Sequence, residues 1–269
     1  MFLKRADSTI YYQRTGKGPQ MLLIHGAVAD GDYFNDSVQI LRDFYDVITY
    51  DRRGNSRSTY EPGAKFDIAA QADDACALIE ELDLKDLFLV GHSAGGMIAL
   101  ETFKRLPGRI KHVVVYETPM LTLTKKYDPS IVDWVYHMVD INNEGKHKEV
   151  AKEFGLSIGL LDDRAPKKTK DQKQKDRNNF GHFINHEFLP FSFYEPDIKF
   201  FKLNAGYITA LAGDRNYGGT YHRSMQEFCR LTGCSLLATA GCHNYPYDLP
   251  AEFAAMVLGI TQRVLISER

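Results

Sequence analysis

The segment Gly91-His92-Ser93-Ala94-Gly95 places a serine between two glycines, directly after an apolar run. A G-x-S-x-G motif between a strand and a helix is typical of a nucleophilic serine, because the glycines permit a sharp turn that exposes the hydroxyl above a sheet. The N–H groups at the start of the following helix stabilise negative charge. We therefore predict that Ser93 is a catalytic nucleophile.

A serine hydroxyl needs a neighbouring base to become a good nucleophile. His243 follows the last apolar run and precedes a helical pattern, so it can lean from a loop over the edge of the sheet. His25 and His92 also lie near Ser93. We expect His25, beside Gly26, to brace a loop, and His92 to point away. His243 is the predicted base.

Two backbone N–H groups are needed to hold the oxyanion of acyl transfer. The residue after the nucleophile, Ala94, supplies one of them, and an early strand-end loop supplies the other. Gly26 permits that turn in Ile24-His25-Gly26-Ala27, and Ala27 offers its N–H. We predict that Ala27 and Ala94 form the oxyanion hole.

These residues must be positioned by a sheet, and short apolar runs alternate with helical patterns along the chain. This alternation is typical of a mostly parallel α/β sheet. The predicted helices are Asp67–Leu82, Ala94–Leu106 and Asp248–Ile266, and Leu3–Arg14 predicts an opening antiparallel strand or hairpin. The predicted strands are Gln20–His25, Asp46–Tyr50, Leu87–Gly91, Ile110–Glu117, Tyr207–Gly213 and Ser235–Gly241.

Residues 118–204 break the alternation, because they contain helix-like pieces and no convincing strand. We predict that they form a helical cap inserted into a core of residues 1–117 and 205–269. The cap is rich in aromatic residues, which either line an apolar substrate pocket or pack the cap on the core. His182 and His186 have no second pair of ligands beside them, so no metal site is predicted. The predicted pocket residues are Trp134, Phe183, Phe188 and Phe191.

The ordered motifs resemble those of the α/β-hydrolase-fold superfamily over nearly the whole chain. The resemblance implies a mostly parallel central sheet flanked by helices, an inserted helical cap, and a serine hydrolase that needs no cofactor. The matching pieces are His25-Gly26-Ala27, Asp51–Ser58, Gly91–Gly95 and Gly241–His243.

The third member of the family's triad, an acid, departs from the usual pattern. The family places it as G-x-x-D after a late strand, but here Gly213-Asp214-Arg215-Asn216 has asparagine at that offset and Asp214 two residues early. Glu117 ends the predicted strand Ile110–Glu117, and Glu117-Thr118-Pro119 resembles the acid position of the zearalenone lactonases. Both acids preserve the chain order serine, acid, histidine. We favour Glu117, with Asp214 as the alternative.

The resemblance implies hydrolysis of a carboxylic ester or lactone through an acyl-enzyme. A serine at the nucleophile position argues against the haloalkane dehalogenases and epoxide hydrolases, which form their ester on a carboxylate. The same triad serves carbon–carbon bond hydrolases and perhydrolases. A small-molecule receptor with slow turnover can also keep it. The residues leave these alternatives open.

Composition excludes other classes of partner. The 269 residues contain 33 Lys+Arg and 35 Asp+Glu, a net charge of −2, so no global field recruits nucleic acid or an anionic membrane. Four cysteines without CxxC spacing indicate thiols in a reducing compartment. With no long apolar segment, the expectation is a cytoplasmic protein that acts on a small molecule, and a homodimer is left open.

Overall fold

The described residues of this computed structural model, 1–159 and 166–267, contain one sheet of nine strands. The strand order is β1-β2-β4-β3-β6-β7-β8-β9, with β5 paired to β2. The strands are β1 (Phe2–Lys4), β2 (Ser8–Gly16), β3 (Gln20–Ile24), β4 (Asp46–Tyr50), β5 (Thr59–Tyr60), β6 (Leu87–His92), β7 (Ile110–Tyr116), β8 (Ile208–Gly213) and β9 (Ser235–Thr239).

The sheet is parallel from β4 to β9 and antiparallel only at its opening edge, where β2 pairs with β1, β4 and β5. The central strands are apolar without alternation, because helices cover both faces. All residues of β4, β6 and β8 are buried. The six predicted parallel strands are therefore confirmed, each within two residues at either end.

The core helices divide between the two faces. On the face to which Leu22 and Leu89 point lie α2 (Ile68–Glu81), α3 (Ala94–Arg105) and α10 (Thr220–Thr232). On the opposite face, with Leu23 and Val90, lie α1 (Asn35–Leu41) and α12 (Pro250–Ser267). Successive strand residues point to opposite faces, so each apolar strand supplies both layers. The sequence patterns missed α1 and α10.

The described residues between β7 and β8 contain helices and no strand. We call residues 117–207 the insertion. Residues 160–165 of the predicted cap, and 268–269 of the predicted core, lie outside the described residues. None of the described helices is both long enough and apolar enough to span a membrane. The helices of the insertion are α4 (Leu121–Thr124), α5 (Ser130–Asn143), α6 (His147–Ser157), α7 (Lys170–His182), a π-helical turn (Phe183–Glu187), α8 (Phe188–Ser192) and α9 (Ile198–Leu203), and α11 (Tyr245–Asp248) follows β9 in the core.

Candidate active site

Ser93 occupies the tight turn between β6 and α3. Its backbone has φ 54° and ψ −125°, a region that costs a non-glycine residue on the order of 1–3 kcal/mol and that clusters at functional sites. The turn is held by the Ser93 N–H, which donates to the Tyr116 carbonyl at 2.8 Å. A Cβ at Gly95 would collide with the Ile24 carbonyl, so only glycine lets α3 start this close to β3.

His243 lies in the loop after β9, with its side chain buried against Glu117. Its Nδ1 is 2.9 Å from Glu117 Oε2. Since a carboxylate accepts, Nδ1 carries the proton and Nε2 is left as the basic nitrogen. The loop is fixed by two further bonds, in which His92 Nε2 donates to the His243 carbonyl at 2.9 Å and the Tyr116 hydroxyl donates to the Cys242 carbonyl.

Glu117 directly follows β7 and is fully buried. Its φ of 41° is again strained for a side chain of this size. Besides His243, its carboxylate accepts from the Gly213 N–H at 3.0 Å and from Asn216 Nδ2 at 2.8 Å. Three donors thus fix the orientation of the carboxylate. Asp214, the alternative acid, is exposed at the start of a 3₁₀ turn, Asp214–Asn216.

The predicted oxyanion donors, Ala27 and Ala94, line the same cavity as Ser93. Ala94 is the first residue of α3, and Ala27 follows the end of β3. Gly26 brings the Ala27 loop close, because a Cβ on Gly26 would lie 2.8 Å from Ser93 Cβ. Val28, next in the loop, has φ 66°, which is a genuine outlier for a β-branched residue. The turn at Ser93, Glu117 and the loop that contains Ala27 and Val28 therefore all carry backbone strain.

The structure confirms the expectation for His25 but not the one for His92. His25 braces a loop as expected, since Nδ1 donates to the Gly26 carbonyl at 2.8 Å and Nε2 accepts the Arg52 N–H at 3.0 Å. Burial and the charge of Arg52 lower the pKa of His25 to about 3, so the ring is neutral near pH 7. The expectation that His92 points away is wrong. Its ring lies 4.9 Å from that of His243 and supports the loop that carries it.

An apolar cavity of about 40 Å³ opens beside Ser93. All four predicted pocket residues line it, so the structure brings the aromatic cluster to the serine. Tyr136 and Phe193, two other aromatic residues of the predicted cap, are exposed instead. One cavity residue that the sequence patterns did not predict is Tyr221. The i, i+4, i+7 spacing of Tyr221, Met225 and Phe228 indicates the buried face of a helix and could have pointed to it. The lining is Ala27, Ser93, Ala94, Met97, Pro119, Leu121, Trp134, Phe154, Phe183, Phe188, Phe191, Ser192 and Tyr221.

A larger cleft of about 740 Å³ lies against the same serine. His92, Ser93 and His243 are among the residues that line it. Its walls mix apolar side chains, such as Phe154 and Ile158, with charges of both signs, including Asp32, which accepts from Lys175 at 3.0 Å. Ser93 therefore lines both a small apolar cavity and a wide cleft that carries charged groups.

Comparison with known proteins agrees with this architecture. The family model of the α/β hydrolase fold matches residues 19–185. The uncharacterized hydrolase YraK of Bacillus subtilis (strain 168) is 36% identical over 120 residues, which is 44% of each chain. The chain thus matches less than half the length of this curated relative.

Solved structures match over nearly the whole chain. An esterase, EaEST from Exiguobacterium antarcticum, has a TM-score of 0.73 at 18% identity, covering 95% of this chain and 96% of its own. Est816, described as an N-acyl homoserine lactone degrading enzyme, has a TM-score of 0.72 at 19% identity, covering 96% and 99%. At such identities the likeness concerns the fold.

Proposed function

Because this chain belongs to the α/β hydrolase fold family, we propose that it is a serine hydrolase of a carboxylic ester or lactone that needs no cofactor. The observation that carries the proposal is the 2.9 Å bond between His243 Nδ1 and Glu117, beside a strained serine that shares a cleft with His243. The esterase and the lactone-degrading enzyme with the same fold support this substrate class.

In the proposed mechanism, Ser93 Oγ attacks the substrate carbonyl carbon while His243 Nε2 takes the hydroxyl proton. Glu117 keeps the imidazole in the correct tautomer and stabilises its positive charge. The Ala27 and Ala94 N–H groups stabilise the oxyanion. His243 then protonates the departing alcohol, which leaves an acyl-enzyme. Water, deprotonated by His243, hydrolyses that ester and restores Ser93.

The two cavities suggest which end of the substrate goes where. A cavity must offer about 10–15 Å³ to hold one water molecule, so a 40 Å³ cavity holds about three non-hydrogen atoms. We propose that it accepts a short apolar acyl chain, and that the wider cleft, which carries charged groups, accepts the alcohol portion. Residues 118–204 would then act as a cap that sets substrate choice.

A fluorophosphonate probe tests the nucleophile, since an activated serine attacks phosphorus. The adduct is expected on Ser93, and Ser93→Ala should lower kcat for p-nitrophenyl acetate by roughly 10⁴- to 10⁶-fold. Ser224→Ala, which alters a buried serine of α10, is the matched control. An adduct on another serine would refute the assignment. Tight ligand binding without turnover would favour the receptor alternative.

The cavity assignment is tested with p-nitrophenyl esters of increasing acyl length. Wild type should prefer acetate or propionate. Phe183→Ala should shift the preference towards longer chains, because the loss of a wall side chain enlarges the cavity. Phe193→Ala changes an exposed phenylalanine of the insertion and is the control. An unchanged length profile in folded Phe183→Ala would contradict the assignment.

A further inference from the structure

Arg52 and Glu187 form an ion pair with both side chains fully buried. Arg52 Nη1 donates to Glu187 Oε1 at 2.7 Å and Nη2 donates to Oε2 at 3.0 Å. Gln71 bridges them, accepting from Arg52 at 2.7 Å and donating to Glu187 at 2.7 Å. Burial alone would raise the pKa of Glu187, but the charge of Arg52, the neighbouring His182, whose Nε2 lies 3.5 Å from Oε1, and the hydrogen bonds of Arg52 lower it to about 2. Because desolvation offsets most of the attraction in a buried pair, stability alone does not explain it.

The pair joins two parts of the molecule that both contact the candidate site. Arg52 follows β4 in the core. Glu187 ends the π-helical turn of the insertion, and Phe183 and Phe188, at either end of that segment, line the apolar cavity. A movement of this wall away from the core would therefore separate Glu187 from Arg52.

The guanidinium also reaches the oxyanion loop. Arg52 Nη2 donates to the Gly26 carbonyl at 3.2 Å, and His25 Nδ1 donates to the same oxygen at 2.8 Å. The Gly26 carbonyl and the Ala27 N–H are opposite poles of one planar trans peptide. Donors that hold the oxygen therefore fix the direction of the N–H. Catalytic donors must be held within about 0.5 Å of the productive geometry.

We propose that Arg52, held by Glu187 of the insertion, is a positioning residue that fixes the Gly26–Ala27 peptide and couples the seating of the insertion to the oxyanion hole. This inference rests on the proposed function, because it assigns a catalytic task to the Ala27 N–H. Full activity is therefore expected only while Glu187 of the π-helical turn is bound to Arg52.

Glu187→Gln tests the coupling, with Asp74→Asn as a matched control. Asp74 faces the neighbouring Arg53 at 2.6 and 2.8 Å, and both side chains are almost completely buried. Each variant leaves a buried arginine facing an amide. Because Arg53 still has Asp7 at 2.9 Å, the melting temperature of each variant is measured beside kcat to separate stability from catalysis. Arg53 contacts Asp74, Asp7 and the Lys65 carbonyl rather than the oxyanion loop.

For p-nitrophenyl acetate, Glu187→Gln should lower kcat by about 10- to 100-fold with little change in KM, since a displaced donor affects the transition state. Asp74→Asn should keep kcat within about 3-fold of wild type, because its effect is confined to stability. Arg52→Lys keeps a buried cation for Glu187, but an ammonium lacks the fork that holds two partners. Arg52→Lys should show the same loss in kcat as Glu187→Gln. It replaces Glu187→Gln as the test of the coupling if Glu187→Gln does not fold.

Hydrogen exchange at the Ala27 amide gives a readout that needs no activity. It should be faster in Glu187→Gln and unchanged in Asp74→Asn. If wild type hydrolyses no ester while this difference holds, the proposed function fails and the coupling stands. If wild type is active but Glu187→Gln matches Asp74→Asn in kcat and exchange, the coupling is overturned. A shifted acid limb of the pH–rate profile with an unchanged plateau would also overturn it, since Glu187 would then act by charge on His243.

Discussion

The adjacent strands β7 and β8 end at the same edge of the sheet, but they end differently. After β7, the buried Glu117 turns with φ 41° and contacts His243. After β8, the chain continues into an exposed turn that begins with Asp214 and ends with Asn216. The offset at which the resembled family places its acid thus holds an amide, and that amide donates to Glu117 at 2.8 Å.

The difference shows why the proposed triad has to be recognised by geometry rather than by sequence position. Because β7 lies between β6, which carries Ser93, and β8, an acid at its end can meet His243 from the neighbouring strand. The main chain ties the two ends together, since the Glu117 N–H donates to the Leu211 carbonyl at 3.1 Å. The last residue of β8, Gly213, and the turn residue Asn216 then donate to the Glu117 carboxylate.

The largest effect should come from removing the β7 carboxylate. Glu117→Gln is expected to lower kcat for p-nitrophenyl acetate on the order of 10⁴-fold, because an amide favours the wrong imidazole tautomer. Asp214→Asn is the matched control and should change kcat by less than about 3-fold, since its carboxylate is exposed. Thermal unfolding of each variant verifies the fold. Near-normal turnover in Glu117→Gln with a crippled Asp214→Asn would reverse the assignment.

A carboxylate moved to the β8 turn sharpens the comparison. In the double variant Glu117→Gln, Asn216→Asp, the charge is restored beside the site from which Glu117 was removed. We expect kcat to recover at least about 10-fold over Glu117→Gln alone, because an acid acts by its place next to the histidine. Steady-state kinetics of the single and double variants measures the gain. Equal rates would show that the β8 turn cannot present an acid to His243.

Removing the amide of the β8 turn should have a smaller effect. Asn216→Ala deletes one of three donors to Glu117, and a hydrogen bond to a charged group contributes about 1.5–3 kcal/mol. We expect kcat to fall about 10-fold, with KM nearly unchanged. Asn178→Ala, which alters an exposed asparagine of α7, is the control. Unchanged kcat in Asn216→Ala would reduce Asn216 to a turn residue.

The smallest effect on activity should come from His112, which joins the same two strands far from the site through Thr209 at 2.9 Å. Burial lowers its pKa to about 4, from about 6.5 in the unfolded chain. Since protons then bind preferentially to the unfolded state, this group destabilises the fold as the pH falls from about 6.5 to 4.

His112→Gln should therefore show a weaker pH dependence of the unfolding free energy, by up to about 3 kcal/mol over that window, with kcat unchanged at pH 7. Urea titrations at several pH values measure it. An identical pH dependence in wild type and variant would contradict the burial argument.

Much of the arrangement follows from local sequence. Strand ends and the sharp turn at Ser93 are encoded by short patterns, so the positions of Ser93, His243, Ala27 and Ala94 could be predicted. The choice between Glu117 and Asp214 could not be derived in this way, because it depends on which strands are neighbours and on which side chain is buried.

Long-range pairs gave no signal. Arg52 and Glu187 are separated by 135 positions, and nothing in the local pattern around either residue indicates the other. The ring of His92 was misplaced for the same reason, since its partner is the carbonyl of His243, 151 positions away. Helix α10 escaped because turn-like residues surround its start, although its apolar face has helical spacing.

The contact between His243 and Glu117 is tested most directly by proton NMR of the imidazole Nδ1–H. A proton held between this nitrogen and a carboxylate resonates far downfield of the amide protons. We predict such a resonance in wild type and in Asp214→Asn, and its loss in Glu117→Gln and in His243→Ala. A resonance that survives Glu117→Gln and disappears in Asp214→Asn would contradict the assignment of Glu117 as the acid.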